Sequence, residues 1–312
     1  MKISRRRFIQ ATALTGAFMT YTDLISLMPM DNKKQNQKIF FFSKPLDKYE
    51  TEFMSETLSM AGIDGFDLTV RPGGKVTPEK VTDDLPKVIE TFNKYNLDTH
   101  LIVTAITGTE DPVTEKILKT ASGHGVKHYR LGYYDYDMSA GVLKSLDLIK
   151  SRMKALSDMN NHYNIQAGYQ NHDGARLGAP LWDVWEVIKN LPDNSVSIQY
   201  DVRHAIVEGY RSWIIALNLI QSRIGSLAFK DFSWDIQNGR ARPIHVPLGE
   251  GLVDFNNYIK ILRDLNIEAP FTLHIEYPLL TAEEEGLTLL AKQKIIVEKL
   301  KKEVQFIRNI IS

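Results

Sequence analysis

Residues 198–205 read IQYDVRHA, an apolar run that stops on a carboxylate, a guanidinium and an imidazole: Asp201, Arg203 and His204. β-Branched and aromatic residues over four to eight positions mark a buried strand, which puts the charged groups at its C-terminal end. Other runs stop in the same way. GYQNHDG (168–174) ends in Gln170, Asn171 and His172, FKDF (229–232) presents Lys230 and Asp231, and HIEY (274–277) presents His274 and Glu276.

Working outward, strand candidates fall at 38–43, 65–70, 99–106, 127–134, 164–171, 196–202, 226–232 and 271–277. Helical spacing lies between them: Val81, Leu85, Val88, Ile89 and Phe92; then Leu143, Leu146, Ile149, Met153 and Leu156; then Phe255, Ile259 and Leu262. Pro78 and Pro112 stand where helices begin, a position that tolerates proline. Strands that alternate with helices imply a parallel sheet, and eight staves are the number that closes a barrel. No Pro/Gly/Ser-rich linker divides the alternation. The expectation is a single-domain (β/α)8 TIM barrel over residues 38–312, with 231–255 as a long loop after the seventh strand.

In such a barrel, functional groups hang from the C-terminal strand ends. Alternation along each strand gives Gln170 and His172 one parity, as it does Gln199 and Asp201, Ala228 and Lys230, and His274 and Glu276. If that parity faces the axis, Gln170, Asp201, Lys230 and Glu276 converge at the mouth. Arg71 from the second strand and Arg130 from the fourth add two cations suited to an anionic substrate group. Plain alternatives stand beside these readings. Asp201 could cap the following helix, His172 and His204 could be buried rings satisfied by carbonyls, and Arg71 could pin the Pro72-Gly73-Gly74 turn. Trp182, Trp185, Trp213 and Trp234 are either core residues or, for one or two of them, stacking surfaces for a sugar ring.

Composition limits the partners. Hydrophobic residues make up 43% and charged residues 24%, Lys+Arg and Asp+Glu balance at 38 each, and cysteine is absent. A neutral total argues against nucleic acid as partner, and thiolate chemistry and disulfides are excluded. The N-terminus reads SRRRFIQ, with Arg5, Arg6 and Arg7 before Phe8-Ile9. This is the twin-arginine export pattern, so residues 1–30 are expected to be a signal segment and the protein periplasmic. Thr12, Thr15 and Thr20 interrupt the apolar stretch, which is too short and too polar to be a stable membrane anchor.

These strand ends resemble the sugar phosphate isomerase/epimerase family of xylose isomerase-like barrels, related to the endonuclease IV fold. The likeness covers residues 38 to about 290. It rests on GYQNHDG where the family has Glu-Asn-His, on Asp-x-x-His in DVRH, on Lys-Asp in FKDF, on VPLGEGLVDF (246–255) and on the Glu of HIEY. The resemblance implies one divalent ion held by Glu, Asp, His and Glu from strands five to eight, which here become Gln170, Asp201, Ala228 and Glu276. Two of the four positions depart. Either Asp201, Glu276 and Gln170 hold Mg2+ or Mn2+ weakly, or the ammonium of Lys230 stands in for the ion.

It further implies proton abstraction next to a sugar carbonyl through an ene-diolate, which needs a base and a positive group for the oxyanion. Glu276 is the expected base, Lys230 the stabiliser and His172 a proton shuttle. Arg71, Arg130, Gln170, His204 and Asp231 are the expected substrate contacts. The partner is then a small sugar, isomerised, epimerised or, as a keto-sugar, cleaved. A carbohydrate-binding protein on the same barrel is the alternative. A DNA-repair nuclease would need a multi-zinc cluster, for which eight dispersed histidines and Ala228 are a poor supply.

Overall fold

The computed structural model describes residues 37–312, and the twin-arginine segment lies outside them. Eight parallel strands close into a barrel: β1 (Ile39–Phe42), β2 (Gly65–Thr69), β3 (Asp98–Val103), β4 (His128–Arg130), β5 (Gln166–Gln170), β6 (Val196–Asp201), β7 (Ile224–Phe229) and β10 (Phe271–Leu273). β1 joins β2 on one side and β10 on the other, and β10 joins β7, so the eighth expected stave closes the ring.

Helices return the chain between staves: α1 (Thr51–Ala61), α2 (Val81–Lys94), α3 (Pro112–Gly123), α4 (Val142–Tyr163), α5 (Trp182–Ile188), α6 (Val202–Gly209), α7 (Trp213–Ile220), α8 (Phe255–Asp264) and α9 (Leu289–Ile311). In α2 the periodic residues Val81, Leu85, Val88, Ile89 and Phe92 are all buried, while Asp83 and Asp84 sit in its first turn, where carboxylates complement the helix dipole. Asp111 caps α3 by accepting the Val113 N–H at 2.9 Å, with Pro112 opening the helix. Among the described residues no helix is long and apolar enough to cross a membrane.

The strands bury both faces, and the two faces differ. Residues of one parity, such as Ile198 and Tyr200 on β6, Leu227 and Phe229 on β7, and Phe271 and Leu273 on β10, belong to the apolar core under the helices. The other parity fills the barrel. Phe42, Leu101 and Val103 form a small apolar cluster there, but most of this layer is polar: Asp67, Gln199, Thr272 and His274 are all buried. Apolar burial outside, at roughly 25 cal/mol per Å2, carries this polar interior.

Residues 231–255, expected to be one long loop, are not a loop throughout. They begin with an antiparallel hairpin of β8 (Asp231–Gln237) and β9 (Arg240–Val246), with Trp234 opposite Pro243 and Phe232 opposite His245. Asn238 (φ 52°) and Gly239 (φ 73°) make its turn, and two successive positive φ values match the right-handed twist of a two-residue hairpin.

Candidate active site

Asp201, the last residue of β6, serves two elements. Its Oδ1 accepts the His204 N–H at 3.2 Å and caps α6, the plain role weighed for it. Its Oδ2 accepts from Gln170 Nε2 at 2.8 Å and lies 3.2 Å from Lys230 Nζ. Lys230, one residue past β7, also reaches Glu276 Oε1 at 2.8 Å and His204 Nε2 at 3.1 Å. An ammonium donates and never accepts: here it hydrogen-bonds Glu276 and His204 and forms an ion pair with Asp201. His204 Nε2 must therefore accept, its Nδ1 carries the hydrogen, and that hydrogen goes to the Asp173 carboxylate. Arg203 donates to the same Asp173 Oδ1 at 2.8 Å. A chain of Asp173, His204, Lys230 and Glu276 thus crosses the mouth.

The charges set one another. Burial pulls the Lys230 ammonium down, but the Asp201 and Glu276 carboxylates outweigh it and leave its pKa raised. Burial pushes Glu276 up, yet Lys230 above all holds it well below the usual carboxylate range. Burial pushes Asp201 up as well, but His204 first and Lys230 next hold it low. Burial lowers His204 to about 4, so at neutral pH its ring is uncharged and Lys230 is the cation that matters to both acids. His172 and His245 are also lowered by burial.

Around this chain stands a more open ring of groups. Glu276 Oε2 lies 3.3 Å from His245 Nε2, which β9 delivers. His172 stacks on His204 at 3.8 Å between centroids, and its Nδ1 donates to the Asp173 carbonyl at 2.8 Å. Tyr133 meets His172 edge-on at 5.2 Å, and its hydroxyl donates to Gln170 Oε1 at 2.9 Å, where Arg130 also donates at 2.5 Å. Arg71 lies against the Phe42 ring. Side-chain exposure separates the layers: 2% for Lys230, but 22% for Glu276, 25% for His245 and 31% for His172. A ligand entering the mouth meets the last three first.

Gln170, Asp201, Lys230, Glu276, His172, His204 and Arg130 therefore come together, with Arg71 at the rim. Asp231 does not join them as a substrate contact. Its two oxygens accept the N–H groups of Phe232, Gly249, Gly251 and Val253 at 2.8 to 3.1 Å, so it ties the 247–253 segment to the hairpin and has no capacity left for a ligand. Trp213 is core, Trp185 packs partly buried against it, and Trp182 and Trp234 are 52% and 44% exposed. Asp173, Arg203, Tyr133 and His245 had no assigned role in the sequence. Asp173 sits inside the quoted NHDG run, Arg203 inside DVRH and Tyr133 just past the fourth strand, whereas His245 carries no signal until β8 and β9 are paired.

The residues at the positions implied for a divalent ion do not fit one. Lys230 Nζ occupies the space between Asp201 and Glu276, Gln170 turns its amide N–H rather than its carbonyl toward Asp201, and Ala228 has no donor atom. His172, Asp173 and His204 bring one metal-ligating atom each within 4.8 Å of one another. Arg203 NH1 lies 2.8 Å from both Asp173 Oδ1 and His204 Nδ1, and a guanidinium in that place opposes a second cation.

Residues 42–295 match the model of the xylose isomerase-like TIM barrel family. No curated protein matches the chain by sequence. Among solved structures the chain is similar to a xylose isomerase-like TIM barrel protein from Mycobacterium smegmatis in complex with magnesium (14% identity, TM-score 0.60, covering 86% of this chain and 98% of that one). It is similar to 3-keto-D-glucoside 4-epimerase from E. coli (13%, 0.60, 84% and 98%). It is also similar to D-allulose 3-epimerase from Methylomonas sp. (14%, 0.63, 88% and 98%). At these identities the likeness is one of fold.

Proposed function

Because this chain belongs to the xylose isomerase-like TIM barrel family, we propose that it is a sugar isomerase or epimerase-like enzyme. It would take a proton from the carbon beside a sugar carbonyl, with Glu276 as base and Lys230 as the charge that follows the electrons. The observation that carries the reading is a single contact: the partly exposed Glu276 carboxylate lies 2.8 Å from an otherwise buried ammonium. That pairing keeps Glu276 ionised, ready to accept a proton, at the cost of some basicity.

The chemistry balances within the pair. When Glu276 Oε2 takes the proton, the carboxylate loses its charge while the sugar oxygen gains one. The Nζ–H that had pointed at Glu276 then turns to the oxyanion, so the ammonium stabilises the ene-diolate more than the ketone, which is what acceleration requires. His172 and His245, neutral and partly exposed at the rim, each offer one bare ring nitrogen to accept from a sugar hydroxyl, and the proton held by Glu276 is the one returned. A proton returned to the neighbouring carbon gives the isomer, and one returned to the same carbon from the opposite face gives the epimer.

One observation favours a second reading. Lys230 hydrogen-bonds Glu276 and His204 and is ion-paired with Asp201, an arrangement that also suits a carbohydrate-binding protein in which the pair is static. Incubating the protein with keto-sugars in D2O separates the two. An enzyme washes deuterium into the carbon next to the carbonyl, and Glu276→Gln slows this by at least about 100-fold. Exchange that survives Glu276→Gln refutes the base assignment, and binding without any exchange favours the second reading.

A further inference from the structure

The second and fourth staves bring two guanidiniums to one place beside the acid–ammonium chain. Arg71 follows β2 and Arg130 ends β4, and their central carbons lie 5.6 and 5.4 Å from the centre of the same Phe42 ring. Neither forms an ion pair among the described residues, and Asp47 and Glu276 act on Arg71, and Asp67 on Arg130, only from farther off. Arg130 is 4% exposed, hydrogen-bonds only the neutral Gln170 amide, and leaves its buried Nε without an acceptor. Arg71 is half-buried and makes no ion pair or side-chain hydrogen bond.

The nearest acids are committed elsewhere. Asp47 accepts from Ser43 and Thr69 at 2.8 Å each, and Asp67 accepts from Gln199 within the barrel. Buried charges are normally paired, so two unpaired guanidiniums side by side point to an anion from outside. Space for it exists. A cavity of about 600 Å3 is lined by Arg71, Lys44, Lys48 and Gly73–Gly74 together with Asp47, whose oxygens are taken by Ser43 and Thr69, and a neighbouring one of about 370 Å3 shares both lysines and reaches Glu276 and Glu285.

We propose that the sugar is an acid, whose carboxylate is held by Arg71, with the charge of Arg130 behind it, while its carbonyl faces Glu276. This rests on the proposed function for the carbonyl end only. One accessible planar fork backed by one buried charge complements a flat monoanion. A phosphate would call for more free donors, and Lys48 is already held by Glu285 at 2.6 Å.

Calorimetry on the full chain tests it, using D-glucuronate, D-galacturonate and D-mannuronate, the three matching uronamides and D-glucose 6-phosphate. A uronamide keeps the shape of its acid and removes the charge. At least one acid should bind ten-fold or more tighter than its amide, and Arg71→Gln should erase that preference by weakening the acid at least ten-fold more than the amide, while a thermal melt like that of the wild type reports that the variant is folded. Equal binding of acid and amide, a preference that persists in Arg71→Gln, or no binding of any of the six overturns the proposal. Tighter binding of glucose 6-phosphate overturns the carboxylate assignment. An acid preference without deuterium exchange leaves the anion site standing and refutes the isomerase reading alone.

Discussion

Lys230→Met removes a buried charge and keeps most of the side-chain length, so it isolates what the ammonium does. Asp201 and Glu276 would be left facing each other, one fully buried and one with 22% of its side chain exposed. Breaking a buried ion pair by deleting one partner costs about 3–5 kcal/mol. For a domain of this size that corresponds to a fall in Tm of about 10 °C, taking roughly 2–4 °C per kcal/mol. The freed carboxylates would then suit a hard divalent cation. With 1 mM Mn2+ and a site of about 10 μM affinity, binding returns about 2.7 kcal/mol, more than half of the loss. Thermal melts of both proteins after treatment with EDTA, with and without Mn2+, provide the assay. The wild type should respond to neither reagent, and the variant should recover several degrees with Mn2+. A wild type stabilised by Mn2+ as strongly as the variant would refute the argument that the ammonium fills the cation position, and so would a variant as stable as the wild type.

Three further outcomes follow from other parts of the molecule. Burial raises the Asp67 carboxyl to about 7 from 3.8, so its contribution to stability is fully present below about pH 4 and is lost as pH rises through 7. The loss is of the order of 4 kcal/mol, and denaturant titrations from pH 4 to 8 should show Asp67→Asn flattening that slope. Asp231→Ala removes the acceptor for four backbone N–H groups, and limited proteolysis should then open the 247–253 segment before the barrel unfolds. If Arg5-Arg6 is an export address, changing both to lysine should hold the full-length protein in the cytoplasm, as read by cell fractionation, while leaving the Tm of the purified protein unchanged.

How much of this was legible beforehand depends on the length of the chain over which the signal repeats. Eight apolar runs separated by helical patterns state the barrel many times over, and strand parity is local, so the meeting of Asp201, Lys230 and Glu276 follows once the barrel is assumed. The hairpin was missed because its strands bury few apolar residues, so no apolar run announces them. Its signal is the Asn238-Gly239 pair flanked by the alternating SWDIQ and RPIHV. The role of Asp231 was not legible at all, because the four N–H groups that claim it come from positions 232 to 253, and only the folded path of the segment brings them together. For Asp201 the two readings were treated as rivals, but a carboxylate has two oxygens, and each satisfies one of them.

The departures at 170 and 228 make sense together with Lys230 as one exchange of charge. The ligand set implied by the family resemblance puts three carboxylates around a divalent ion, leaving one net negative charge. Here the first carboxylate is the neutral amide of Gln170, and the cation is a single ammonium between Asp201 and Glu276, which leaves one net negative charge again. Ala228, fully buried two residues before Lys230 and on the same face of the strand, leaves room for the lysine stem where a histidine ring would obstruct it. Restoring any one of the three alone should therefore do harm. Gln170→Glu adds an unbalanced carboxylate next to Asp201, and Ala228→His crowds the stem of Lys230. Only the triple change Gln170→Glu, Ala228→His, Lys230→Ala keeps both the charge and the space, and it should bind Mn2+ more tightly than Lys230→Ala by itself. Titration of the two proteins with Mn2+ by calorimetry checks this, and equal affinities would show that the three positions do not act as a unit.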